Sequence, residues 1–222
     1  MFIVIDWIDW AWKSTQMKLI LEKLEKINKK VKTVSYPRYS EDSSFLVKKY
    51  LNWEYWDQVS AKQASVFYAV DRFDSSTSLK KDIQNYDYVI SDRYASANML
   101  HQAWKIKDYK QRNEFLDWLY DFEYNILKIP VPDRVLFLNI SSNLSIKNMY
   151  SRWIEDKEYL KEWKKLDIHE QDKNHLENAC SIAQDVLKKY SNWIKIECEE
   201  DWKLRSIEEI NKDIMKEILK KV

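Results

Sequence analysis

Glycine is absent from all 222 residues of this chain. At an average usage of about 7%, roughly 15 glycines would be expected, and their chance absence is about a one-in-a-million event. Tryptophan, in contrast, occurs eleven times. Glycine is the residue that adopts positive φ angles without steric cost and lets a backbone approach an anion closely. The sequence as written therefore lacks the usual means of building tight turns and phosphate-binding loops.

Clustered cysteine and histidine, long apolar runs and excess charge are also missing. Two cysteines and three scattered histidines form no disulfide framework, zinc pattern or metal-hydrolase centre. No apolar run approaches ~20 residues and the chain begins with a strand, so we expect neither a signal peptide nor a membrane span. With 37 basic and 36 acidic residues, no electrostatic argument favours nucleic acid or an anionic membrane. A single cytoplasmic domain is expected.

The segment Trp-Ile-Asp-Trp-Ala-Trp-Lys-Ser-Thr at 7–15 becomes a Walker A phosphate loop when its three tryptophans are replaced by glycine. We interpret this as a codon that means glycine in the source organism, such as a reassigned UGA, translated as tryptophan. Nine tryptophans occupy loops, polar turns or helix ends, which are typical glycine positions: Trp7, Trp10, Trp12, Trp53, Trp56, Trp104, Trp153, Trp163 and Trp202.

Two tryptophans stay undecided, because Trp118 lies on an apolar helical stripe and Trp193 precedes an apolar strand. The alternative is a genuinely glycine-free protein. Such a chain would have indoles in its phosphate loop and would be a catalytically inactive binding module.

Alternating apolar strands and amphipathic helices predict an α/β fold. Strands are expected at 2–5, 31–35, 88–91, 134–139 and 193–197. Helices are expected at 15–29, 43–51, 60–73, 76–84, 95–103, 110–127, 143–152, 169–190 and 206–221. This order predicts a three-layer sandwich, a five-stranded parallel sheet flanked by helices on both faces. With no internal repeat or linker, residues 1–222 are expected to form one domain.

Several motifs follow the phosphate loop in order. They are Tyr-Pro-Arg-Tyr at 36–39, Phe-Tyr-Ala-Val-Asp-Arg at 67–72, Asp-Arg-Tyr at 92–94, Asn98 to Gln102, Pro-x-Pro-Asp at 130–133 and a charged stretch that starts at Arg152. Together they resemble the thymidylate kinases, nucleoside-monophosphate kinases of the P-loop class, over essentially the whole chain. The resemblance implies transfer of phosphate from ATP to dTMP with Mg²⁺, a homodimer, and a mobile lid at about 153–167.

Phosphoryl transfer between two polyanions requires positive charge held in line. Lys13 is placed to reach the β- and γ-phosphates of ATP, and the Ser14 hydroxyl to hold Mg²⁺. Arg38 and Arg93 each follow a predicted strand, where open α/β sheets bind ligands, and we assign both to the dTMP phosphate. Asp92 is either the partner of Arg93 or an acid that holds Mg²⁺ through water. The amides that would cradle the β-phosphate belong to Trp7, Ile8, Asp9, Trp10, Ala11, Trp12, Lys13, Ser14 and Thr15.

The resemblance implies the remaining roles. Asp9 orients the acceptor phosphate and the metal or its waters, with a helix N-cap as the alternative. Phe67 stacks on thymine, although its pattern alone suits a core residue. Arg72 binds the carbonyl edge and Asn98 the imide edge, with Gln102 on the same helical face; a polar helix surface is the alternative for the last two. Tyr36, Pro37 and Tyr39 line the acceptor site, with Tyr39 near the deoxyribose.

The catalytic charge is expected from Arg152 in the lid, because the phosphate-loop position that holds it in related kinases is Trp10 here. A related kinase acting on dUMP or a deoxynucleoside is a further alternative. A nucleoside acceptor would need a carboxylate base rather than two arginines that bind phosphate.

Overall fold

The computed structural model describes residues 1–7, 13–55, 58–141, 144 and 173–220. Most of the predicted helix 143–152 and all of the expected lid at 153–167 lie outside these residues. The described strands form a parallel sheet of five, in the order β2-β3-β1-β4-β5. They are β1 (Phe2–Trp7), β2 (Val31–Ser35), β3 (Tyr88–Asp92), β4 (Arg134–Asn139) and β5 (Trp193–Glu197). The predicted α/β fold is confirmed.

Seven α-helices accompany the sheet within the described residues. They are α1 (Lys13–Lys26), α2 (Phe45–Leu51), α3 (Ala61–Asn85), α4 (Ala95–His101), α5 (Tyr109–Tyr120), α6 (Lys173–Lys189) and α7 (Ile207–Leu219). Short 3₁₀ turns occupy Asp42–Ser44 and Ala103–Lys105, and α5 continues into a π-helical turn at Asp121–Ile126. None of the helices in the described part of the chain is long and apolar enough to span a bilayer.

Strand residues alternate between two apolar layers, as the period of a β-strand requires. Phe2 and Val4 pack on the side of α4, α5 and α6, where they meet Phe115 and Ile182. Ile3 and Ile5 face the opposite layer, which α1 and α7 cover. The helices on both faces bury the sheet, so its ligand-binding capacity is left to the carboxyl ends of the strands.

The two helices predicted at 60–73 and 76–84 are wrong as separate elements, because α3 runs unbroken from Ala61 to Asn85. The serine-rich stretch in its middle resembles a helix break in sequence. In the structure Ser75 Oγ donates to the Arg72 carbonyl at 3.0 Å, and Ser78 Oγ donates to the Ser75 carbonyl at 2.8 Å. These hydroxyls bond back along the helix instead of diverting the backbone into a turn.

A small antiparallel hairpin after β5 was not predicted from the sequence. Its strands are β6 (Glu199–Glu200) and β7 (Lys203–Leu204), and Glu200 pairs with Lys203. The two-residue turn consists of Asp201 and Trp202, with φ angles of 48° and 62°. A hairpin of this form is typical of the dipeptide Asp-Gly. The second residue is tryptophan here, so the sequence lacks the Asp-Gly dipeptide that would have predicted the hairpin.

Candidate active site

The carboxyl ends of three neighbouring strands bring the two arginines of the sequence motifs to one edge of the sheet. Ser35 of β2 and Ile5 of β1 both pair with Asp92 of β3. Arg38 follows β2 and Arg93 follows β3. Helix α1 begins a few residues after the end of β1. The sheet therefore gathers Arg38, Arg93 and the N-terminus of α1 at the edge where α/β proteins bind ligands.

Arg93 is fixed by its backbone at the point where β3 ends. Its φ angle is 60°, in the left-handed region that non-glycine residues seldom adopt. Its amide donates to the Ile5 carbonyl at 3.0 Å, and its own carbonyl accepts from Ser91 Oγ. The guanidinium carbon lies 5.8 Å from the centroid of the Trp7 ring. Strained backbone of this kind persists where surrounding contacts determine it, commonly at functional sites.

A buried carboxylate that was not predicted from the sequence lies near this arginine. Asp6 has no exposed surface, and its side chain accepts hydrogen bonds from the Trp7 amide and from Ser96 Oγ. Burial raises the pKa of Asp6 to about 6, although the positive charge of Arg93 opposes the shift. The available signal was a carboxylate within an otherwise apolar strand, where an ionised group requires compensating partners.

The phosphate loop is described only at its two ends. Trp7 is buried at the end of β1, and Ser14 is exposed as the second residue of α1. Lys13 begins that helix. The other loop residues predicted to bind phosphate lie outside the described residues: Ile8, Asp9, Trp10, Ala11 and Trp12. The same holds for Arg152.

Oxygen ligands for a hard cation are available near this edge. The Ser14 hydroxyl is exposed, and the half-buried Asp92 ends β3. Within the described ranges no group of three or more His, Cys, Asp and Glu side chains could hold a metal ion. A hydroxyl and one carboxylate suit Mg²⁺, which keeps several waters and binds largely through substrate phosphates.

Arg38 is held by a set of acidic and hydroxyl groups that sequence analysis did not identify. Its Nε donates to Asp71 Oδ1 at 3.1 Å, and its Nη2 donates to Asp74 Oδ2 at 2.6 Å and to Ser43 Oγ at 2.8 Å. Asp71 is buried and also accepts the Arg38 amide at 2.8 Å. The contacts of Arg38 with described residues leave Nη1 open to an anion. The sequence offered only the helical spacing of Asp71 and Asp74 as a signal.

The side chain of Phe67 belongs to an aromatic group rather than to the closed core. Its ring centroid lies 5.6 Å from that of Tyr55 and 6.3 Å from that of Tyr50. Phe67 remains partly exposed on α3. A partly exposed aromatic ring of this kind can stack on a planar ligand.

Arg72 is 2% exposed and lies on α3 one turn beyond Phe67. Its Nε donates to Glu123 Oε2 at 3.0 Å, and its Nη2 bonds Glu123 Oε1. Burial alone would lower the pKa of Arg72, but the adjacent Glu123 carboxylate raises it above its ordinary value. Glu123 was not identified from the sequence, where it is one acidic residue among many on a long helical pattern.

Asn98 and Gln102 are buried, so their alternative interpretation as polar helix surface is wrong. Nδ2 of Asn98 donates to the Ser65 carbonyl at 3.1 Å and to Glu123 Oε1 at 3.3 Å. Asn98 and Arg72 therefore share one carboxylate. Within the described part of the chain, Oε1 of Gln102 is buried without a hydrogen-bond donor. A buried amide oxygen of this kind suits a ligand that donates.

The structure separates the remaining residues of the Tyr-Pro-Arg-Tyr motif. Tyr36 is buried, and its hydroxyl lies 2.6 Å from Ser75 Oγ, so its side chain belongs to the core. Tyr39 is exposed, and its carbonyl accepts from Lys48 Nζ at 3.3 Å. Pro37 joins them as the residue before Arg38. Arg38 thus carries the polar chemistry of this motif.

Comparisons with known proteins match this chain to one family over most of its length. The family model described as thymidylate kinase matches residues 5–200. A thymidylate kinase of Plasmodium falciparum (isolate 3D7) is 26% identical over 220 residues, covering 99% of this chain and 90% of that protein. A putative thymidylate kinase of Invertebrate iridescent virus 6 is 25% identical over 188 residues, covering 84% of this chain and 83% of its own. The structure of a thymidylate kinase from Candida albicans superposes with a TM-score of 0.69 at 18% identity, covering 98% of this chain and 90% of that one.

Proposed function

The chain belongs to the thymidylate kinase family, and we propose on that premise that it transfers the γ-phosphate of ATP to dTMP, giving dTDP and ADP. The observation that carries this proposal is the placement of Arg38 and Arg93 at neighbouring strand ends, beside the N-terminus of α1. Two guanidinium groups at this edge match the phosphate of a nucleoside monophosphate. A deoxynucleoside acceptor has no phosphate for them to bind.

Transfer requires little covalent chemistry from the protein, because positioning and charge stabilisation lower most of the barrier. The N-terminus of α1 binds the phosphates of ATP through its backbone amides. Lys13, the lysine of the loop motif, binds the β- and γ-phosphates. Arg93 and Nη1 of Arg38 hold the acceptor phosphate in line. Mg²⁺ held by the Ser14 hydroxyl, with Asp92 contacting it through water, would neutralise charge on the phosphates. Arg152 supplies the additional positive charge for catalysis, and Asp9 orients the acceptor phosphate.

The base occupies the space between α3 and α4. The partly exposed ring of Phe67 stacks on the thymine ring. Arg72 donates to the carbonyl edge, and Asn98 accepts from the imide N–H. Gln102, whose buried Oε1 lacks a donor among the described residues, is available to a donor on the base. Tyr39 lies near the deoxyribose.

We further propose that the tryptophans at glycine-like positions are glycine in the native protein. Trp53 supports this at the end of α2. Its φ angle is 61°, its amide donates to the Tyr50 carbonyl at 3.2 Å, and the next amide, of Glu54, donates to the Lys49 carbonyl at 3.1 Å. These two bonds form a Schellman motif with Trp53 at the left-handed position, which is usually glycine.

Trp202 supports the same proposal independently. It follows Asp201 in the two-residue hairpin turn, with a φ angle of 62°, and it is 83% exposed. A type I′ turn needs positive φ at both central residues, which favours Asp-Gly. An indole with so little buried surface contributes nothing that offsets this backbone cost.

Four other described tryptophans behave differently. Trp118 stacks on Phe122 with ring centroids 5.2 Å apart, and Trp193 is buried in β5. These contacts favour authentic tryptophan at both positions. Trp104 lies in a 3₁₀ turn and packs on the core, and Trp7 is buried at the end of β1; neither has a positive φ angle. The case for glycine at Trp7 therefore rests on the loop motif. Trp10, Trp12, Trp56, Trp153 and Trp163 lie outside the described residues.

A homodimer in the cytoplasm completes the proposal. Val70 and Phe73 are exposed on one face of α3, and Ile126 is exposed at the end of the π-helical turn. A contiguous apolar patch on a protein surface can mark a site of association. Cys180 and Cys198 are free thiols, which suits a reducing compartment.

The experiment compares two forms of the purified protein. The tryptophan form has the sequence as printed. The glycine form carries glycine at positions 7, 10, 12, 53, 56, 104, 153, 163 and 202. Chromatography of nucleotides after incubation with ATP, dTMP and Mg²⁺ measures dTDP. We expect dTDP from the glycine form and negligible ATP binding by the tryptophan form, because three indoles replace the anion-binding amides. No dTDP from either form would contradict the activity, and equal activity of both would contradict the glycine proposal.

A further inference from the structure

A fully buried carboxylate lies behind the two side chains that we assign to the base edge. Glu123 has no exposed surface and is part of the π-helical turn at Asp121–Ile126. It accepts two hydrogen bonds from Arg72, at Nε and Nη2, in a bidentate pair. π-Helical turns are rare and are frequently found at functional sites.

The same carboxylate fixes the direction of the Asn98 amide. Nδ2 of Asn98 lies 3.3 Å from Glu123 Oε1 and 3.1 Å from the Ser65 carbonyl oxygen. Both neighbours are acceptors, so only the NH₂ group of the amide satisfies them. The amide oxygen of Asn98 therefore takes the opposite side and is the atom available to a ligand.

Arg72 keeps donors free after these contacts. A guanidinium has five N–H groups. Glu123 accepts two of them, and the Tyr94 carbonyl lies 3.4 Å from Nη1. The remaining N–H groups lie on Nη1 and Nη2. Arg72 and Asn98 together therefore offer a ligand two kinds of group. Arg72 provides the remaining guanidinium donors, and Asn98 provides its amide oxygen as an acceptor.

We propose that Glu123 is the positioning residue that sets base specificity. An acceptor beside a donor matches N3–H and O4 of thymine or uracil. Cytosine has an acceptor at N3 and an amino group at C4, so it meets a mismatch at both atoms. Glu123 enforces this pattern because it prevents the Asn98 amide from turning and holds the Arg72 fork in place. The inference rests on the proposed function, since it names the group that lets the same site select its base.

A purely structural ion pair would behave differently in one measurable respect. Removing one partner of a buried pair destabilises a protein whichever substrate is offered. Lower stability therefore supports neither role, whereas a change in the preference between two bases is specific to positioning.

The test is Glu123→Gln in the glycine form, with kcat and KM measured for dTMP and dCMP. Glutamine keeps the size of the side chain but adds a donor, so it lets Asn98 present its NH₂ group to the base. We expect kcat/KM for dTMP to fall ~30-fold, mostly through KM, and the preference for dTMP over dCMP to fall ~10-fold or more. Glu123→Asp, which keeps the carboxylate, restores part of the preference.

The matched control is Asp213→Asn, which removes a carboxylate from another arginine. Arg205 Nη2 donates to Asp213 Oδ2 at 2.8 Å, and Asp213 lies on α7, away from the site. This variant should leave the preference between the bases unchanged. Equal proportional losses for dTMP and dCMP in Glu123→Gln would overturn the positioning role.

A second measurement serves if the glutamine variant does not fold. In a crystal structure of the unaltered glycine form with dTMP, one terminal atom of Asn98 should stay on Glu123 and the other should lie within hydrogen-bond distance of N3. Separation of Glu123 from Arg72, or an Asn98 amide turned away from the base, would overturn the inference. A glycine form with no activity toward dTMP would instead contradict the proposed function.

Discussion

Arg38 Nη2 lies 2.6 Å from the Oδ2 atom of Asp74, an exposed carboxylate that competes with any anion bound to this arginine. Asp71 differs from Asp74 because it is buried and binds both the Nε and the amide of Arg38. One acidic neighbour therefore fixes the position of Arg38, and the other neutralises its charge.

This difference predicts opposite effects of two matched substitutions in the glycine form. Asp74→Asn should lower the KM for dTMP up to ~5-fold, because an exposed ion pair contributes roughly 1 kcal/mol or less. Asp71→Asn should raise the KM for dTMP, because Arg38 loses its buried anchor. Steady-state kinetics with ATP saturating measures both. An unchanged KM in Asp71→Asn would show that the buried anchor of Arg38 does not support binding of the acceptor phosphate.

Arg93 is expected to contribute most to the acceptor site. Arg93→Ala should lose ~3 kcal/mol or more of transition-state stabilisation, since it removes a charge-assisted bidentate contact from a partly desolvated site. Arg93→Lys should restore only part of the activity, because an ammonium cannot reproduce the guanidinium fork. The measurement is kcat/KM for dTMP, and near-normal turnover by Arg93→Ala would refute the assignment.

Base selection should be graded. Thymine and uracil present the same edge to Arg72 and Asn98 and differ by one methyl group, so dUMP should be a poorer substrate by about 10-fold. Cytosine leaves buried polar groups mismatched, so dCMP should be rejected by roughly a thousandfold or more. Comparable kcat/KM values for dCMP and dTMP would favour a kinase of broader specificity.

Backbone geometry predicts which tryptophans a glycine improves. In the tryptophan form, Trp53→Gly and Trp202→Gly should each raise the free energy of unfolding by about 1 kcal/mol, because positive φ is unfavourable for tryptophan. Trp118→Gly should lower it by about 3 kcal/mol or more, because it removes a packed ring from a helix. Urea denaturation followed by circular dichroism gives these values. Destabilisation by Trp202→Gly would count against glycine at the hairpin.

Asp6 should give the protein an unusual pH dependence. Its pKa is about 6 in the folded chain, compared with the ordinary value of 3.8 for an aspartate carboxyl. Between these values the folded protein keeps a proton that the unfolded chain has released. The free energy of unfolding should therefore fall as pH rises from about 4 to about 6, by up to about 3 kcal/mol, and this contribution should be level above that range.

The measurement for Asp6 is urea denaturation across this pH range in metal-free buffer. Asp6→Asn should abolish this part of the dependence. Ser96→Ala should extend the fall to higher pH, because the Ser96 hydroxyl bond lowers the pKa of Asp6. A slope that persists in Asp6→Asn must come from other groups and would remove Asp6 as its cause.

The sheet was largely predictable from sequence because short apolar runs specify strands directly. Val31–Ser35, Arg134–Asn139 and Trp193–Glu197 have the predicted bounds. The arginines at strand ends were found because topology places all carboxyl ends of parallel strands at one edge. These signals are local in the chain.

The missed residues depend on partners distant in sequence. Glu123 lies 51 residues from Arg72, and nothing in its helical pattern indicates a buried carboxylate. Asp71 and Asp74 resemble any acidic residues on a helix until Arg38 is placed beside them. The hairpin was not predicted for a different reason. Trp202 occupies the position where glycine normally indicates such a turn.

The tryptophan in the turn at Asp201 and Trp202 also has a consequence for the cells in which this gene yields an active protein. Under the proposed recoding, a translation system that inserts tryptophan places an indole at the hairpin, at the end of α2 and throughout the phosphate loop in a single step. A system that treats the same codon as a stop ends the chain before α1. The gene would then yield a working enzyme only in cells that share its decoding, so its transfer to other lineages would be blocked at translation.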